Sequence, residues 1–387
     1  MSAPTLTIAR ESLRGALTKI AGVIDATKKT LAVAAHVLLE VRGDELTLSA
    51  TNFDAFVRVT VPCDSEGDAT ALVPAGRLTD IVGNLPSGVV TLCLGMRTTI
   101  KAGKSRFEVS GIAQSEMPPM PASRGTPTLV DARAFIAAAA RCEPLASGEE
   151  SRPALNTVHL EFADGALGVV STNGHAFAML PVGTASTSPA SFSVHRSDVR
   201  RLAKLFGDHD GHLSITPDDA RVRFASTGVV VDVRVVEAQF PPYRGVLSLT
   251  PTHTLIVDRV ALLASVRRVS LVSPSAQEAS VEAGRLLPPP RRVRFTITRD
   301  ALALSAASQE GTGHDEIAVS SHLTAGSGES DASFAIEFNA ALVLLCLNAL
   351  TSNDVQLAVQ YPNRPMHLTN PDAADASLTL VMPLRIV

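Results

Sequence analysis

The sequence repeats one pattern three times, and this repeat constrains the fold more than any single motif does. Leu46-Thr-Leu-Ser-Ala-Thr-Asn52 returns 121 residues later as Leu167-Gly-Val-Val-Ser-Thr-Asn173, and 135 residues after that as Leu302-Ala-Leu-Ser-Ala-Ala-Ser308. The units of solenoid proteins repeat about every 20–50 residues. A longer period indicates copies of a whole domain. Three copies build a large quasi-symmetric surface, which favours a scaffold over a single catalytic pocket.

A second marker keeps the same spacing. Leu72-Val-Pro-Ala-Gly-Arg-Leu78 is echoed by Ser193-Val-His-Arg-Ser-Asp-Val199 and, more loosely, by Ala335-Ile-Glu-Phe-Asn-Ala-Ala341. Stretches rich in proline and small residues, at 117–127 and 241–251, indicate linkers between the copies. The expected domains are residues 1–126, 127–249 and 250–387.

Each copy is predicted to be α+β, with two helices and about eight strands. Apolar residues at helical spacing predict a first helix near 10–24, 131–142 and 258–269, and a second near 76–84, 197–206 and 339–349. Alternating strands around 35–41 and 45–51, separated by Arg42-Gly-Asp44, predict a hairpin. The helices are expected to cover one face of an antiparallel sheet.

Composition indicates a globular protein of a reducing compartment. The chain is 45% hydrophobic but only 4% aromatic, with no Trp, so its cores must rest on aliphatic residues. The four cysteines show no metal-ligand spacing and lie in or beside apolar stretches, which predicts buried free thiols. The first twenty residues contain no apolar signal core, and we expect a cytoplasmic protein. The cysteines are Cys63, Cys93, Cys142 and Cys346.

The net charge of −4 does not by itself indicate a nucleic-acid partner, but the helices are biased towards basic residues. In the helix near 197–206, Arg200, Arg201 and Lys204 are predicted to lie opposite an apolar face. Charged solvent-facing helix surfaces are common, and one such helix would favour that simple explanation. The same bias in four helices favours contact with the phosphates of a polyanion.

No motif predicts an active site. The chain has no P-loop, no GxSxG, no HExxH and no GxGxxG after a strand. His175 follows an Asn-Gly pair, which more often marks a strand-to-turn transition than a catalytic histidine. Asp218-Asp219 lacks a third carboxylate nearby in sequence, so it is a weak metal-site candidate. We expect no catalytic residue, no metal and no cofactor.

Five motifs in order resemble the bacterial DNA polymerase III beta subunit, the processivity sliding clamp. The resemblance spans essentially the full length. Three motifs are the most specific: Ser171-Thr-Asn-Gly-His175, Phe240-Pro-Pro-Tyr-Arg244 and Val381-Met-Pro-Leu-Arg385. Gly103-Lys-Ser-Arg-Phe107 and Val73-Pro-Ala75 also fit the family pattern.

This resemblance implies a head-to-tail homodimeric ring of six similar domains, with helices lining the hole and sheets outside. Duplex DNA would pass through the ring without being read, and the replicative polymerase, clamp loader and other proteins with clamp-binding motifs would be partners. No membrane partner is implied. The residues expected to face DNA are Lys28, Arg200, Arg201 and Lys204.

Members of this family also bind short partner peptides in an apolar pocket between the second and third domains. Carried over to this chain, the pocket would combine apolar walls with a few polar groups that orient a peptide. Its expected residues are Leu155, Thr172, Gly174, His175, Phe177, Pro241, Val246, Leu380, Met382, Pro383 and Leu384.

The sequence departs from the family pattern at four places. Ala176 and Gly245 stand where the family often has basic residues, so an acidic peptide flank is expected to matter less here. An insertion at 274–292, expected to be a flexible loop, and the extra Val387 are also unusual. These departures leave open whether the chain is the housekeeping clamp or a specialised clamp paralogue. The main alternative to a clamp is a repeat interaction scaffold without a direct replication role.

Overall fold

The computed structural model describes residues 4–24, 31–163, 165–184, 189–273, 280–282, 285–287, 291–298, 301–309, 311–324, 334–360, 364–372 and 375–384. Lys28 and Val387 lie outside the described residues, as does much of the 274–292 insertion.

The first third of the chain is dominated by short strands. They are β1 (Thr5–Ala9), β2 (His36–Arg42), β3 (Glu45–Thr51), β4 (Ala55–Pro62), β5 (Asp64–Glu66), β6 (Ala69–Pro74), β7 (Val89–Cys93), β8 (Arg97–Ala102) and β9 (Ser105–Ser110). The helices are α1 (Arg10–Ala21) and α2 (Ala75–Asn84), with 3-10 turns at Ala32–Ala35 and Gln114–Glu116.

The middle third repeats this order of elements. Its strands are β10 (Thr128–Asp131), β11 (Thr157–Ala163), β12 (Ala166–Thr172), β13 (Ala176–Gly183), β14 (Ala190–His195), β15 (His212–Pro217), β16 (Arg221–Ser226) and β17 (Val229–Arg234). Its helices are α3 (Ala132–Cys142), α4 (Arg196–Phe206) and the one-turn α5 (Arg244–Leu247), with a 3-10 turn at Glu143–Leu145.

The last third has the same plan with additions. Its strands are β18 (His253–Asp258), β19 (Ser280–Glu282), β20 (Arg285–Leu287), β21 (Arg292–Ile297), β22 (Ala301–Ser308), β23 (Gly311–Ala318), β24 (Ser321–Thr324), β25 (Phe334–Asn339), β26 (Asp354–Val359), β27 (Met366–Thr369) and β28 (Leu378–Val381). Its helices are α6 (Arg259–Val269) and α7 (Ala340–Ala349), with a 3-10 turn at Ser270–Val272.

The predicted α+β class is confirmed. All six predicted helices form within about two or three residues of the expected bounds. Asp131 and Asp258 cap α3 and α6: their Oδ1 atoms accept hydrogen bonds from the amides of Ala134 (2.7 Å) and Ala261 (2.6 Å). Every strand pairing among the described residues is antiparallel.

The chain divides into two compact units. The first comprises Met1–Ile136, Thr184–Ser186 and Ser197–Glu237. It holds an eight-stranded sheet in the order β10-β15-β16-β17-β4-β3-β2-β6 and a five-stranded sheet in the order β5-β1-β7-β8-β9. Strands of the first and second repeats therefore form one continuous sheet, joined where β17 pairs with β4. Helix α1 packs on β3, β4 and α2.

The second unit comprises Ala137–Gly183, Thr187–Arg196 and Ala238–Val387. Its nine-stranded sheet has the order β14-β11-β12-β13-β28-β27-β26-β18-β24, and its four-stranded sheet has the order β23-β22-β21-β25. The junction between repeats is again a strand pair, here β13 with β28. Helix α7 packs on α6, β13 and β28. The three-domain division at 126/127 and 249/250 stays a prediction.

The repeat extends to individual backbone hydrogen bonds. The first residue of α1, Arg10, donates from its amide to the carbonyl of Gly88 (2.8 Å). The same bond joins Ala132 to Gly211 (2.9 Å) and Arg259 to Asn353 (2.8 Å) at the start of α3 and α6. Three helices with unlike sequences therefore begin with the same tether to the loop that follows the second helix of their repeat.

Two expectations need correction. Three cysteines are buried free thiols as predicted, but Cys93 is only half-buried because it lies near the end of β7. Burial raises the pKa of Cys142 and Cys346 to about 12, which keeps these thiols protonated and unreactive.

The insertion at 274–292, expected to be a loop, contains the antiparallel pair β19–β20.

Candidate functional site

The segment Thr172–His175 forms a tight turn between β12 and β13. The Thr172 hydroxyl donates to the carbonyl of Ala176 (2.7 Å) and accepts from the amide of Gly174 (3.0 Å). The Asn173 side-chain oxygen accepts from the amides of His175 (2.9 Å) and Ala176 (2.8 Å). Gly174 has φ +88°, a conformation that glycine adopts without strain. The predicted strand-to-turn transition is confirmed, and His175 is exposed at its tip.

The C-terminal segment lies directly beside this turn. In the β13–β28 pair, Phe177 is opposite Leu380, and both side chains are buried. Beyond the strand, the amide of Met382 donates to the carbonyl of His175 at 2.8 Å. Two of the three predicted pocket segments are therefore joined by backbone hydrogen bonds.

The third segment, from Phe240 to Leu247, packs on the same part of the sheet. The Phe240 ring stacks on His159 with centroids 4.7 Å apart, and the Tyr243 ring lies 5.3 Å from that of Phe177. The Tyr243 hydroxyl donates to one oxygen of Glu161, and the Arg244 guanidinium donates to the other at 2.5 Å. Aromatic stacking, and a Glu161 carboxylate that accepts two hydrogen bonds, thus anchor this segment.

The predicted pocket residues differ in solvent exposure. A Cβ added at Gly174 would lie 3.9 Å from Leu155 Cδ1, so Leu155 flanks the turn. Thr172, Phe177 and Leu380 are buried; Leu155, Pro241, Pro383 and Leu384 are half-buried; Gly174, His175, Val246 and Met382 are exposed.

Exposed apolar side chains stand out within this group. Val246 is 44% exposed and Met382 is 38% exposed, beside a buried cluster of Val170, Phe177 and Leu380. Exposed large apolar residues next to an apolar cluster offer a surface on which a partner can bury its own side chains.

Sequence reasoning missed several residues that build this site. Val170, Met179, Phe240, Tyr243 and Leu247 belong to the same cluster. Phe240 and Tyr243 belong to the Phe240–Arg244 motif, and Leu247 lies one helical turn after Tyr243. Val170 and Met179 face each other across β12 and β13, a pairing that alternation along the strands could have indicated.

Several titratable groups in the site are held away from their ordinary behaviour. Burial lowers the pKa of His159, and the nearby Glu161 only partly offsets it. Burial would raise the pKa of Glu161, but the hydrogen bonds from Tyr243 and Arg244 outweigh it, so the pKa is lowered. Burial also lowers the pKa of His367, against a hydrogen bond with the backbone of Val246. At neutral pH the site therefore contains neutral imidazoles at His159 and His367 and an ionised Glu161.

The basic side chains of α4 fall into two kinds. Arg200 and Lys204 are exposed. Arg201 differs from the expectation: its side chain is only 12% exposed, it forms an ion pair with Asp198, and its Nε donates to the carbonyl of Gly22 at 3.0 Å. Arg201 therefore fastens α4 to the end of α1 instead of lying on an open face.

The basic residues of the other helices divide in the same way. Arg14 and Lys19 on α1 are exposed. Arg10 instead donates to the carbonyls of Val82 (3.1 Å) and Gly83 (2.8 Å) at the end of α2, and Arg259 donates to Ser352 (2.6 Å) after α7. Arg10 therefore satisfies carbonyl groups that the end of α2 leaves open, and Arg259 does the same for α7 through a second bond to the carbonyl of Leu347 (3.4 Å).

The alternative chemical sites have structural roles. Asp218 accepts hydrogen bonds from the amides of Arg124 (3.1 Å) and Asp219 (2.9 Å), which is a turn function. Among the described residues, no group of three or more His, Cys, Asp or Glu side chains could hold a metal ion. None of the helices in the described part of the chain is long and apolar enough to cross a membrane.

Comparison with known proteins matches this arrangement to one family. Models of the DNA polymerase III beta subunit match at its N-terminal domain over residues 5–121 and at its central domain over residues 130–242. The chain belongs to the DNA polymerase III beta subunit family. A beta sliding clamp of Pseudomonas putida is 26% identical and covers 98% of this chain and 99% of its own length. One from Synechocystis is 25% identical, covering 93% and 94%.

Solved structures of the family share the fold over the whole chain. The DnaN sliding clamp of Pseudomonas aeruginosa bound to griselimycin has a TM-score of 0.89 at 24% identity, covering 100% of both chains. The DNA polymerase sliding clamp of Bacillus subtilis has a TM-score of 0.88 at 17% identity, again covering 100% of both. The family resemblance and the fold class indicated by the sequence motifs are thereby confirmed.

Proposed function

We propose that this protein is a DNA polymerase processivity factor: a homodimeric ring that encircles duplex DNA, slides without sequence specificity, and tethers polymerase and other replication and repair proteins. The observation that carries the proposal is the family match over nearly the full length, at 98% of this chain. In this proposal the protein acts in the cytoplasm, stays on DNA because it encircles the duplex, and catalyses no reaction of its own.

The ring would consist of three domains per chain, at residues 1–126, 127–249 and 250–387. A head-to-tail contact between the first domain of one chain and the third of its partner closes after two copies, as a heterologous interface can. The assembly should have a mass near twice 40.5 kDa, even without DNA. A single chain by light scattering at micromolar concentration would contradict this arrangement.

Contact with DNA would use exposed cations that meet phosphates of any sequence. The exposure of Arg200 and Lys204 supports that role. Arg201, paired with Asp198, would act by holding α4 in position. Lys28 stays in the proposed set by family resemblance. Phosphate contacts are screened by salt and carry no base information, so a clamp can stay on the duplex and still slide.

Partner proteins would bind at the junction of β13 and β28. A peptide would insert Leu or Phe side chains against Leu155, Val246, Leu380 and Met382. Burying two such side chains contributes roughly 3–6 kcal/mol before ordering costs, while micromolar affinity needs about 8 kcal/mol. Backbone hydrogen bonds from the peptide would have to supply the remainder.

Two departures from the family pattern shape the rim of this pocket. Ala176 is buried within β13 opposite Val381, and a Cβ added at Gly245 would meet open space. Neither residue supplies a cation. An acidic flank on the peptide should therefore contribute less to binding here than in clamps that carry basic residues at these positions.

Retention on circular DNA tests the proposed function. The labelled protein is loaded on nicked circular DNA with its cognate clamp loader, isolated by gel filtration, and then exposed to a restriction enzyme that linearises the circle. We expect retention on the circle and loss after linearisation, because a ring can slide off an end. Retention unaffected by linearisation, or no loader-dependent retention at all, would contradict the proposal.

Substitution on α4 tests the DNA contact. Replacing Arg200 and Lys204 by Ser should weaken binding to duplexes of any sequence and make it less salt-dependent, by about one unit of log–log slope per lost phosphate contact. Arg97→Ser, which removes an exposed arginine from β8, serves as the matched control. A loss of affinity that depended on base sequence would contradict the sliding mechanism.

A further inference from the structure

A cavity of about 310 Å³ lies in the first compact unit, beneath the segment Met117–Met120. Its walls are the outer face of β2, β3 and β4 on one side and this proline-rich segment on the other. Met117, Pro118 and Met120 are half-buried, so the linker lies against the sheet here. The lining residues on the sheet are Leu38, Glu40, Ser49, Ala50, Phe56, Val57 and Arg58.

The second repeat contains the same arrangement. Met117-Pro-Pro-Met120 corresponds to Phe240-Pro-Pro-Tyr243, which lies at the same place after the next repeat. The strand register beneath the two segments is also the same. Ser49 pairs with Leu38 and Arg58 in the first repeat, as Val170 pairs with His159 and Met179 in the second.

Aromatic rings occupy this space in the second repeat. Phe240 stacks on His159, and Tyr243 packs on Phe177, which corresponds to Phe56. The rings of Phe240 and Tyr243 also meet edge to face, with centroids 6.1 Å apart. In the first repeat methionine stands in place of both aromatic residues, and Met117 and Met120 both line the cavity.

The hydrogen-bonding groups of the two sites also correspond. Glu161, which accepts the Tyr243 hydroxyl, has Glu40 as its counterpart. Glu40 is 26% exposed, close to the 22% of Glu161, and its nearest cation in an ion pair is the exposed Arg42 at 3.9 Å. The carboxylate that would receive a phenol is therefore retained, while the phenol is absent.

Two further polar residues, Ser49 and Arg58, line the cavity. Ser49 Oγ and Arg58 Nε are buried and have no hydrogen-bond partner among the described residues. Buried polar groups are costly unless they are satisfied. A phenol oxygen can donate its proton to a carboxylate and accept from a hydroxyl or a guanidinium at the same time. This combination of groups fits a phenol better than a purely apolar ring.

We propose that this cavity is a binding site for a single phenol ring, with its hydroxyl donating to Glu40 and its face packed on Phe56 and the two methionines. The volume is sufficient, since an engineered cavity of about 150 Å³ already binds benzene. Methionine side chains adapt to a ring and make favourable sulfur–aromatic contacts. The proposal rests on the geometry of the repeat and does not depend on DNA binding.

Titration with p-cresol, followed through the ¹³C-methyl resonances of methionine in the full-length protein, tests the site. We expect saturable shifts of Met117 and Met120, while the exposed Met96 serves as an internal control and does not shift. Toluene, which lacks the hydroxyl, should bind more weakly than p-cresol. N-acetyltyrosine amide distinguishes two possible origins of the phenol ring. If it binds, the natural ligand is a tyrosine side chain of a partner protein; if only p-cresol binds, the natural ligand is a small free phenol.

Three variants make the test specific. Glu40→Gln should weaken p-cresol about tenfold and leave toluene unchanged, since a charge-assisted hydrogen bond contributes about 1.5 kcal/mol or more. Met120→Tyr supplies the ring that the second repeat has and should abolish p-cresol binding; Met117→Phe should do the same from the other side of the cavity. No saturable shift in the native protein, or unchanged p-cresol affinity in the filled variants, would overturn the proposal.

Discussion

The two strand junctions of this protein have the same backbone and opposite surface chemistry. In the first, β4 pairs with β17 and Phe56 lies opposite Asp232; in the second, β13 pairs with β28 and Phe177 lies opposite Leu380. The next backbone bond is also shared. Arg234 donates from its amide to the carbonyl of Asp54 (3.2 Å), as Met382 does to that of His175 (2.8 Å).

The turns beside the two junctions are equally alike. The Thr51 hydroxyl donates to the carbonyl of Ala55 at 2.8 Å and accepts from the amide of Phe53 at 2.9 Å, and the Asn52 side chain accepts from the amide of Ala55 at 2.8 Å. These are the bonds that Thr172 and Asn173 make in the second turn.

The side chains of the first junction are charged. The buried Asp232 accepts two hydrogen bonds from Arg223, at 2.9 and 2.7 Å, and Arg221 lies 5.1 Å above the ring of Phe56. Arg234 forms an ion pair with Asp54 at 3.6 Å. In the second junction Leu380 and Met382 stand in place of Asp232 and Arg234. The backbone arrangement of the two junctions is therefore the same, and their side chains differ: charged in the first and apolar in the second.

Exchanging the residue at the centre of the junction should have the largest effect. Leu380→Asp places a carboxylate in a position that is 4% exposed, without an arginine in the place of Arg223. We expect a loss of at least about 4 kcal/mol in the free energy of unfolding, measured by urea denaturation of the full chain. Leu380→Met, which nearly conserves volume, should lose less than about 1.5 kcal/mol. If the two variants were equally stable, the apolar character of this junction would not be essential.

The reverse exchange in the first junction should cost less stability, and a second substitution should restore most of that loss. Asp232→Leu leaves the Arg223 guanidinium without its carboxylate and should cost about 3 kcal/mol. Burial raises the pKa of Asp232 in spite of the nearby Arg223. The loss of hydration of the carboxylate therefore outweighs the stabilisation that Arg223 gives to its charge. The double variant Asp232→Leu/Arg223→Leu should therefore return to within about 1 kcal/mol of the native protein. A double variant as unstable as the single one would show that the ion pair is a net stabilising contact.

Much of this architecture could be predicted from sequence, because the signals are local. The helices follow from apolar spacing, and Asp131 and Asp258 mark two of their starts through capping. The Asn173-Gly174 turn follows from the need for positive φ. The pairing of Phe177 with Leu380 could not be derived that way, since the two residues are some 200 positions apart and only the family resemblance joined them. Helical spacing could have indicated Asp198, three residues before Arg201, as its ion-pair partner, but it could not indicate Gly22, which lies 179 positions away in sequence.

The turns offer a matched pair of backbone substitutions. Phe53 has φ +74° at the place where the second turn has Gly174 at φ +88°. Gly174→Ala should destabilise the chain by about 1 kcal/mol through the backbone alone, because the new Cβ meets Leu155 only at an ordinary 3.9 Å. Phe53→Gly should change stability in the opposite direction, by less than about 1 kcal/mol, since relief of strain is partly offset by glycine entropy. A destabilised Phe53→Gly would mean that packing of the ring outweighs the strain.

The smallest expected effect is the pH dependence of stability that His367 gives to the second junction. The folded-state pKa of His367 lies below its unfolded value of about 6.5, mainly through burial. The unfolded state then binds the proton more readily, so the stability contributed by the neutral ring is present above that pH and is lost as pH falls below it. His367→Gln should flatten the fall in melting temperature between about pH 7 and pH 5. An unchanged slope would assign the pH dependence to other groups.

Peptide binding tests the contrast between the junctions most directly. A fluorescent peptide containing Gln and Leu/Phe residues of the clamp-binding type is titrated against the native protein, Met382→Ala and Arg234→Ala, which truncate the corresponding residue in each junction. We predict that Met382→Ala weakens binding about tenfold or more, because it removes an apolar contact of roughly 1.5–3 kcal/mol, and that Arg234→Ala binds like the native protein. Equal binding by the native protein and Met382→Ala, or weakening by Arg234→Ala alone, would contradict the assignment of the peptide site to the second junction.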